Sequence, residues 1–115
     1  MASNQIKKFA ASHKFARIAP RKARLVADMI RGKGIEDALA TLEFSPRRGA
    51  WFIKTVLRSA IANAEEANLD VGRLFVSETR VDEGPPIKRF QPKDRGRSHP
   101  IMKRTSHIHV AVDVR

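Results

Sequence analysis

Val81 to Ser106, VDEGPPIKRFQPKDRGRSHPIMKRTS, is the stretch that decides how this chain is built. Between Ile87 and Arg104 it sets Lys88, Arg89, Lys93, Arg95, Arg97, Lys103 and Arg104 against a single acid, Asp94. Pro92, Gly96 and Pro100 interrupt it, and its only large apolar side chains are Ile87, Phe90, Ile101 and Met102. A segment this polar buries too little apolar surface to offset its own ordering entropy, which predicts an open loop or ribbon. Its cations repel one another in water, and a polyanion relieves that repulsion while releasing its own counterions. The arm reads as one completed by nucleic acid.

Strand-like patterns flank it. Phe75, Ser77, Thr79 and Val81 fall on one face of the preceding segment, and Ile108, Val110, Val112 and Val114 alternate with His107, His109, Ala111 and Asp113 in the following one. The simplest topology pairs the two as an antiparallel hairpin with the arm as its extension. Lys93-Asp94-Arg95-Gly96 supplies turn chemistry near the middle. At about 3.3 Å per residue, an arm of roughly 13 residues reaches about 40 Å. That exceeds the diameter of about 30 Å expected for a compact domain of this size, so the tip should project.

Upstream, Phe9, Ala11, His13 and Phe15 alternate with smaller or polar residues, predicting a strand. Pro20 suits the first turn of a helix whose stripe is Leu25, Val26, Met29 and Ile30, with Arg24 and Asp28 spaced to pair. Gly32-Lys33-Gly34 ends it, and a short helix follows with Ile35, Ala38, Leu39 and Leu42 on one face. Ser45-Pro46 predicts an N-cap and first helical position for a long helix running to about Asn68. Ile53, Val56, Leu57, Ala60, Ile61 and Ala64 keep helical spacing, and the whole stripe, Trp51 included, reads as core. The pattern is α+β: a small antiparallel sheet packed on three helices, with a long projecting β-hairpin. A chain of 115 residues makes a single domain, with the arm at 82–106 inside it.

The net charge of +11 is unevenly spread. Residues 1–24 carry seven bases and no acid, residues 25–86 carry eight bases and ten acids, and residues 87–104 carry seven bases and one acid. A near-neutral middle between two cationic segments is the footprint of a nucleic-acid binder. Neither basic segment offers the wide apolar face of a membrane-surface helix. With no cysteine, disulfides and thiolate metal sites are excluded. No apolar run approaches a membrane span, and the N-terminus lacks a secretory signal's apolar block. An ordered pattern beginning by Phe9 argues against an organelle transit peptide.

Catalysis finds no support. His107 and His109 share a strand face but lack a third metal ligand, and adjacent Asp82 and Glu83 point to opposite faces. No phosphate loop or nucleophile elbow is present, and no metal or cofactor is expected. Arg47 and Arg48 sit at a helix start, where they oppose the dipole, an arrangement that suits a phosphate partner.

Three motifs now carry a resemblance. GPPIKRFQPKDRGRSHPIMKRTSHI, Gly84 to Ile108, closely resembles the hairpin of the bacterial ribosomal protein L twenty-two family. ARIAPRKARLVADMIRGK, Ala16 to Lys33, is similar to that family's first helix, and SAIANAEEA, Ser59 to Ala67, to its long helix. The resemblance implies an α+β globule near the exit of the peptide tunnel, with its hairpin threading inward between ribosomal RNA segments. Gly84 and Pro85 match the start of the arm, and Lys88, Arg89, Pro92, Arg95, Gly96 and Arg97 its tip region. Lys103, Arg104, Thr105, Ser106 and His107 match the returning strand, and Arg17, Pro20 and Arg24 the RNA-facing start of the first helix. With Lys22, Arg47, Arg48, Arg80 and Lys93, the basic residues of these matches, together with Thr105, Ser106 and His107, form the candidate RNA-binding set. Lys93, Asp94, Arg95, Gly96 and Arg97 form the candidate tunnel-lining tip, with Asp94 a departure from the family's small or basic run. Met1 to Lys8 have no dependable counterpart and read as a tail. The partners implied are large-subunit ribosomal RNA, neighbouring ribosomal proteins and the nascent peptide. No membrane and no obligate homo-oligomer is implied, and the location is the bacterial ribosome in the cytoplasm. The alternative is a free-standing regulatory protein that uses the basic ribbon in a nucleic-acid groove.

Overall fold

A computed structural model describes residues 9–92 and 98–114, those at 87–92 and 98–102 by their backbone alone. In chain order the elements are β1 (Phe9–Ala16), α1 (Pro20–Ile30), α2 (Ile35–Phe44), α3 (Arg48–Glu66), a 3-10 turn (Val71–Arg73), β2 (Leu74–Glu83), β3 (Ile87–Pro92), β4 (Ser98–Lys103) and β5 (Ser106–Val114). β5 lies at the centre of a three-stranded antiparallel sheet, between β1 and β2. The predicted pairing of the strands around the arm is present, with Thr79 opposite Val110 and Val81 opposite Ile108. β3 and β4 continue outward as a separate two-stranded antiparallel ribbon. The radius of gyration, 17.3 Å, exceeds the value of about 13 Å for a compact chain of this length. The expected turn at Lys93–Gly96 and the expected tail Met1–Lys8 lie outside the described residues.

The sheet buries one face against α1 and α3. Val26 and Ile30 of α1, Ile53 and Leu57 of α3, and Val76, Ile108, Val110 and Val112 of the strands are at most 1% exposed. In α1, Ala23, Val26, Ala27 and Ile30 face inward at helical spacing, while Leu25 and Met29 are half exposed. Only half of the predicted stripe is core, because a residue one position away lies about 100° around the helix. Arg24 and Asp28 do not pair: Asp28 takes Arg31 at 2.8 Å, and Arg24 Nε donates to Val81 O at 3.1 Å.

Two strand irregularities reverse expected faces. A register shift between Val76 and Glu78 turns Leu74 and Val76 inward on one side of it and Thr79 and Val81 on the other. An extra residue on one strand shifts side-chain parity by one, so Phe75 and Ser77 are not on the Thr79 face. In β1 the register shifts between His13 and Ala16, Phe15 takes φ +60°, and its ring is 58% exposed while Ala16 is buried.

The α1–α2 connection turns at Gly32, φ +83°, and covers the edge of β2: Gly32 N–H donates to Val76 O and Val76 N–H to Lys33 O. Ser45 does not cap α3. It ends α2, its N–H bonding Leu42 O, while its hydroxyl accepts from Arg47 N–H at 3.3 Å; the long helix therefore starts at Arg48. Trp51, expected in the core, is 59% exposed, and its neighbour Phe52 is buried instead.

Candidate nucleic-acid interface

Four separated segments bring six cations to one open hollow. Arg17 comes from the β1–α1 link, Lys22 from the start of α1, Arg47 and Arg48 from the start of α3, and Lys103 and Arg104 from the foot of the arm. Among the described residues, Ile18, Ala19, Leu25 and Gly49 complete the lining, and it contains no acid. All six cations are exposed, and among the described residues none has a carboxylate within ion-pair distance.

The convergence has identifiable causes. A Cβ on Gly49 would sit 3.2 Å from Ile18 Cδ1 and 3.3 Å from Val26 Cγ2, so the glycine lets the start of α3 close onto α1. Ser106 Oγ, fully buried, donates to Ile18 O at 2.6 Å and ties the returning strand of the arm to the same link. Both helices also begin there without side-chain caps, at Ala19 and Arg47. The positive ends of their dipoles add to the side-chain charge there, although Pro20 has no N–H and Lys22 N–H already bonds Ala19 O, so backbone and side chains favour the same ligand, an anion.

Other predicted RNA-binding residues are placed elsewhere. Arg24 is bonded to the β2 backbone, and Arg80 lies outside the hollow between Glu78 at 3.5 Å and Asp82 at 3.1 Å. Thr105 and Ser106 are buried, and their hydroxyls serve the protein: Thr105 Oγ1 donates to Pro85 O at 2.7 Å. His107 Nδ1 accepts from Phe15 N–H at 3.1 Å, which assigns the ring proton to Nε2, and the ring meets Phe15 edge-on at 4.9 Å. His109 lies between Ser12 Oγ at 2.7 Å and Asp82 at 3.4 Å. The two histidines thus have separate partners, and no group of three metal-ligating side chains occurs among the described residues. Lys88 and Arg89 lie in β3 with side chains outside the description, and Lys93, Asp94, Arg95, Gly96 and Arg97 lie outside the described residues.

Sequence reading missed the apolar floor of the hollow. Its available signal was Gly49, directly after two arginines; Leu25 reads as part of the α1 core stripe, and only the structure turns it to the hollow.

A basic hollow at the foot of a two-stranded ribbon narrows the choice of family, and comparison decides it. The family described as Ribosomal protein L22p/L17e matches residues 11–113. The chain belongs to that family. A large ribosomal subunit protein uL22 of Ligilactobacillus salivarius (strain UCC118) is 52% identical over 114 residues, covering 98% of this chain and 99% of its own. The protein of the same name from Lacticaseibacillus casei (strain BL23) is 53% identical over 111 residues, 96% and 95% of the two chains. That of Geobacter sulfurreducens is 54% identical over 99 residues, 85% and 89% of the two. As a member of the L22p/L17e family, the chain is a ribosomal protein of the bacterial large-subunit type, cytoplasmic with its ribosome, and not an enzyme. The reading as a free-standing regulator is set aside on the same ground.

Proposed function

We propose that this chain is held in the large subunit by ribosomal RNA seated in the hollow between α1, α3 and the foot of the arm. In this reading it helps to organise that RNA during assembly. The ribbon β3–β4 reaches inward between RNA segments, and the tip from Lys93 to Arg97 lines the path of the nascent peptide. The observation that carries the RNA-binding part is the convergence of Arg17, Lys22, Arg47, Arg48, Lys103 and Arg104, without an acid, around two uncapped helix starts. Six like charges with no carboxylate in ion-pair range among the described residues attract a polyanion, and folded RNA offers phosphates at the spacing of a groove rather than at a single point. The inward course of the arm rests on the family resemblance and on the ribbon's separation from the main sheet. A two-stranded ribbon enters a crevice between RNA helices where a globular face does not fit.

A salt titration of binding to bacterial large-subunit ribosomal RNA tests the hollow. Replacing Arg17, Lys22, Arg47 and Arg48 with Gln should reduce the slope of log K against log salt by about 0.7–0.9 for each phosphate that is no longer neutralised. All four side chains are exposed, so the fold should survive the exchange. An unchanged slope would show that these cations do not hold the phosphates.

A further inference from the structure

Trp51, like Phe44, is a large apolar side chain whose placement neither the core nor the hollow explains. Its indole is 59% exposed, and among the described residues its N–H has no acceptor. The ring is nevertheless held in place: Phe52, 8% exposed, meets it edge-on with centroids 5.1 Å apart and planes at 81°. The Arg48 guanidinium lies over the Phe52 ring at 5.6 Å, so a groove cation and the indole share one aromatic support. Further along α3, Arg58 is exposed one turn beyond Thr55, and no acid occurs in the helix before Glu65. The nearby carboxylate of Glu43 is taken by Lys54 at 3.2 Å.

We infer that this face of α3 extends the RNA site, with Trp51 as a platform on which one unpaired nucleobase stacks and Arg58 as a phosphate ligand beyond it. The inference rests on the proposed RNA-binding reading and adds a class of interaction, with a base, that cations alone do not make. A flat, supported, solvent-facing indole between cations matches a strand that carries bases and phosphates together. An apolar protein face would have to accommodate Arg47, Arg48 and Arg58 around the ring, so the charge favours RNA. Positions 51 and 58 are two turns apart on the helix, a rise of about 10 Å that one or two nucleotides span.

The chain has one tryptophan and no tyrosine, so its intrinsic emission reports on this ring alone. The full-length protein is titrated with bacterial large-subunit ribosomal RNA while indole emission and acrylamide quenching are followed. Stacking should quench the emission and shield the ring. Trp51→Ala should weaken binding by about 5- to 150-fold, the effect of removing one base–aromatic stack, with the salt slope unchanged. Trp51→Phe should recover most of that affinity and Trp51→Leu little of it, whereas Arg58→Gln should lower the slope by the share of about one phosphate. Salt-dependent binding with unaltered emission, and with Trp51→Ala binding as wild type, would overturn this inference and leave the groove reading intact. Emission that changes only in assembled particles, not with RNA alone, would assign the ring to a neighbouring protein and also overturn it. Absence of RNA binding would overturn both.

Discussion

Gly84→Ala should disturb the joint from which the arm leaves the globule. A methyl added there would sit 2.5 Å from Thr105 Oγ1 and 3.2 Å from His107 Cε1. Gly84 N–H donates to Thr105 O at 3.0 Å, so the two strands are held at this separation. Thr105 is 1% exposed and its hydroxyl donates to Pro85 O at 2.7 Å. A threonine side chain is too short to bend away; it has to rotate about Cα–Cβ, which breaks that bond and strands a buried hydroxyl. The cost is about 1–3 kcal/mol. A chain of this length has an unfolding entropy near 0.24 kcal/mol/K, so each kcal/mol lowers the melting temperature by about 4 °C, or about 4–12 °C in all. Circular dichroism melts of Gly84→Ala, Thr105→Ala and the double variant test the cause as well as the size. Thr105→Ala removes both the bond and the obstacle, so adding Gly84→Ala to it should cost little, a coupling of about 1 kcal/mol or more. An unchanged midpoint for Gly84→Ala, or strict additivity in the double variant, would refute the reasoning.

Other consequences follow from burial and from the arm's separateness. Replacing Ile87 to Lys103 by a short Asn-Gly turn should keep a cooperative thermal transition, because the core elements lie outside that segment, while chemical probing of particles should find the inward RNA segments no longer protected. A shortened protein that fails to fold would show that the arm belongs to the core. Ile53→Ala, at a site with 0% exposure, should cost about 2–5 kcal/mol in denaturant unfolding. Met29→Ala, 39% exposed in the predicted α1 stripe, should cost less than half as much; equal costs would return Met29 to the core.

Periodic segments were legible where one rule governs them. The alternation of Ile108, Val110 and Val112 identified β5, and the stripe from Ile53 to Ala64 identified the buried side of α3. Burial of a strand or helix face imposes a period that survives in the residues themselves. Pro20 marked the start of α1 because its ring suits that position and few others. Ser45-Pro46 misled for a related reason: the backbone N–H of Ser45 ends α2 on Leu42 O and its hydroxyl accepts from Arg47 N–H, local bonds that spacing does not reveal.

The sequence by itself determined the charge layout, the α+β element order and the arm between two paired strands, because composition and period are local properties. It also separated two basic segments, 1–24 and 87–104, from the near-neutral stretch between them. Only the tertiary structure decided which cations act together. Arg17, Lys22, Arg47, Arg48, Lys103 and Arg104 lie far apart along the chain, and the close approach at Gly49 and the Ser106–Ile18 bond bring them to one hollow. Likewise only the structure gave Arg24, Arg80, Thr105 and Ser106 acceptors within the protein itself. The bulges in β1 and β2 turned Phe15 outward and Thr79 inward, and the packing of α3 through Phe52 left Trp51 in solvent. One extra residue in a strand, or a fraction of a turn in a helix, reverses a side chain's face, and that choice is made by packing between elements rather than within any one of them.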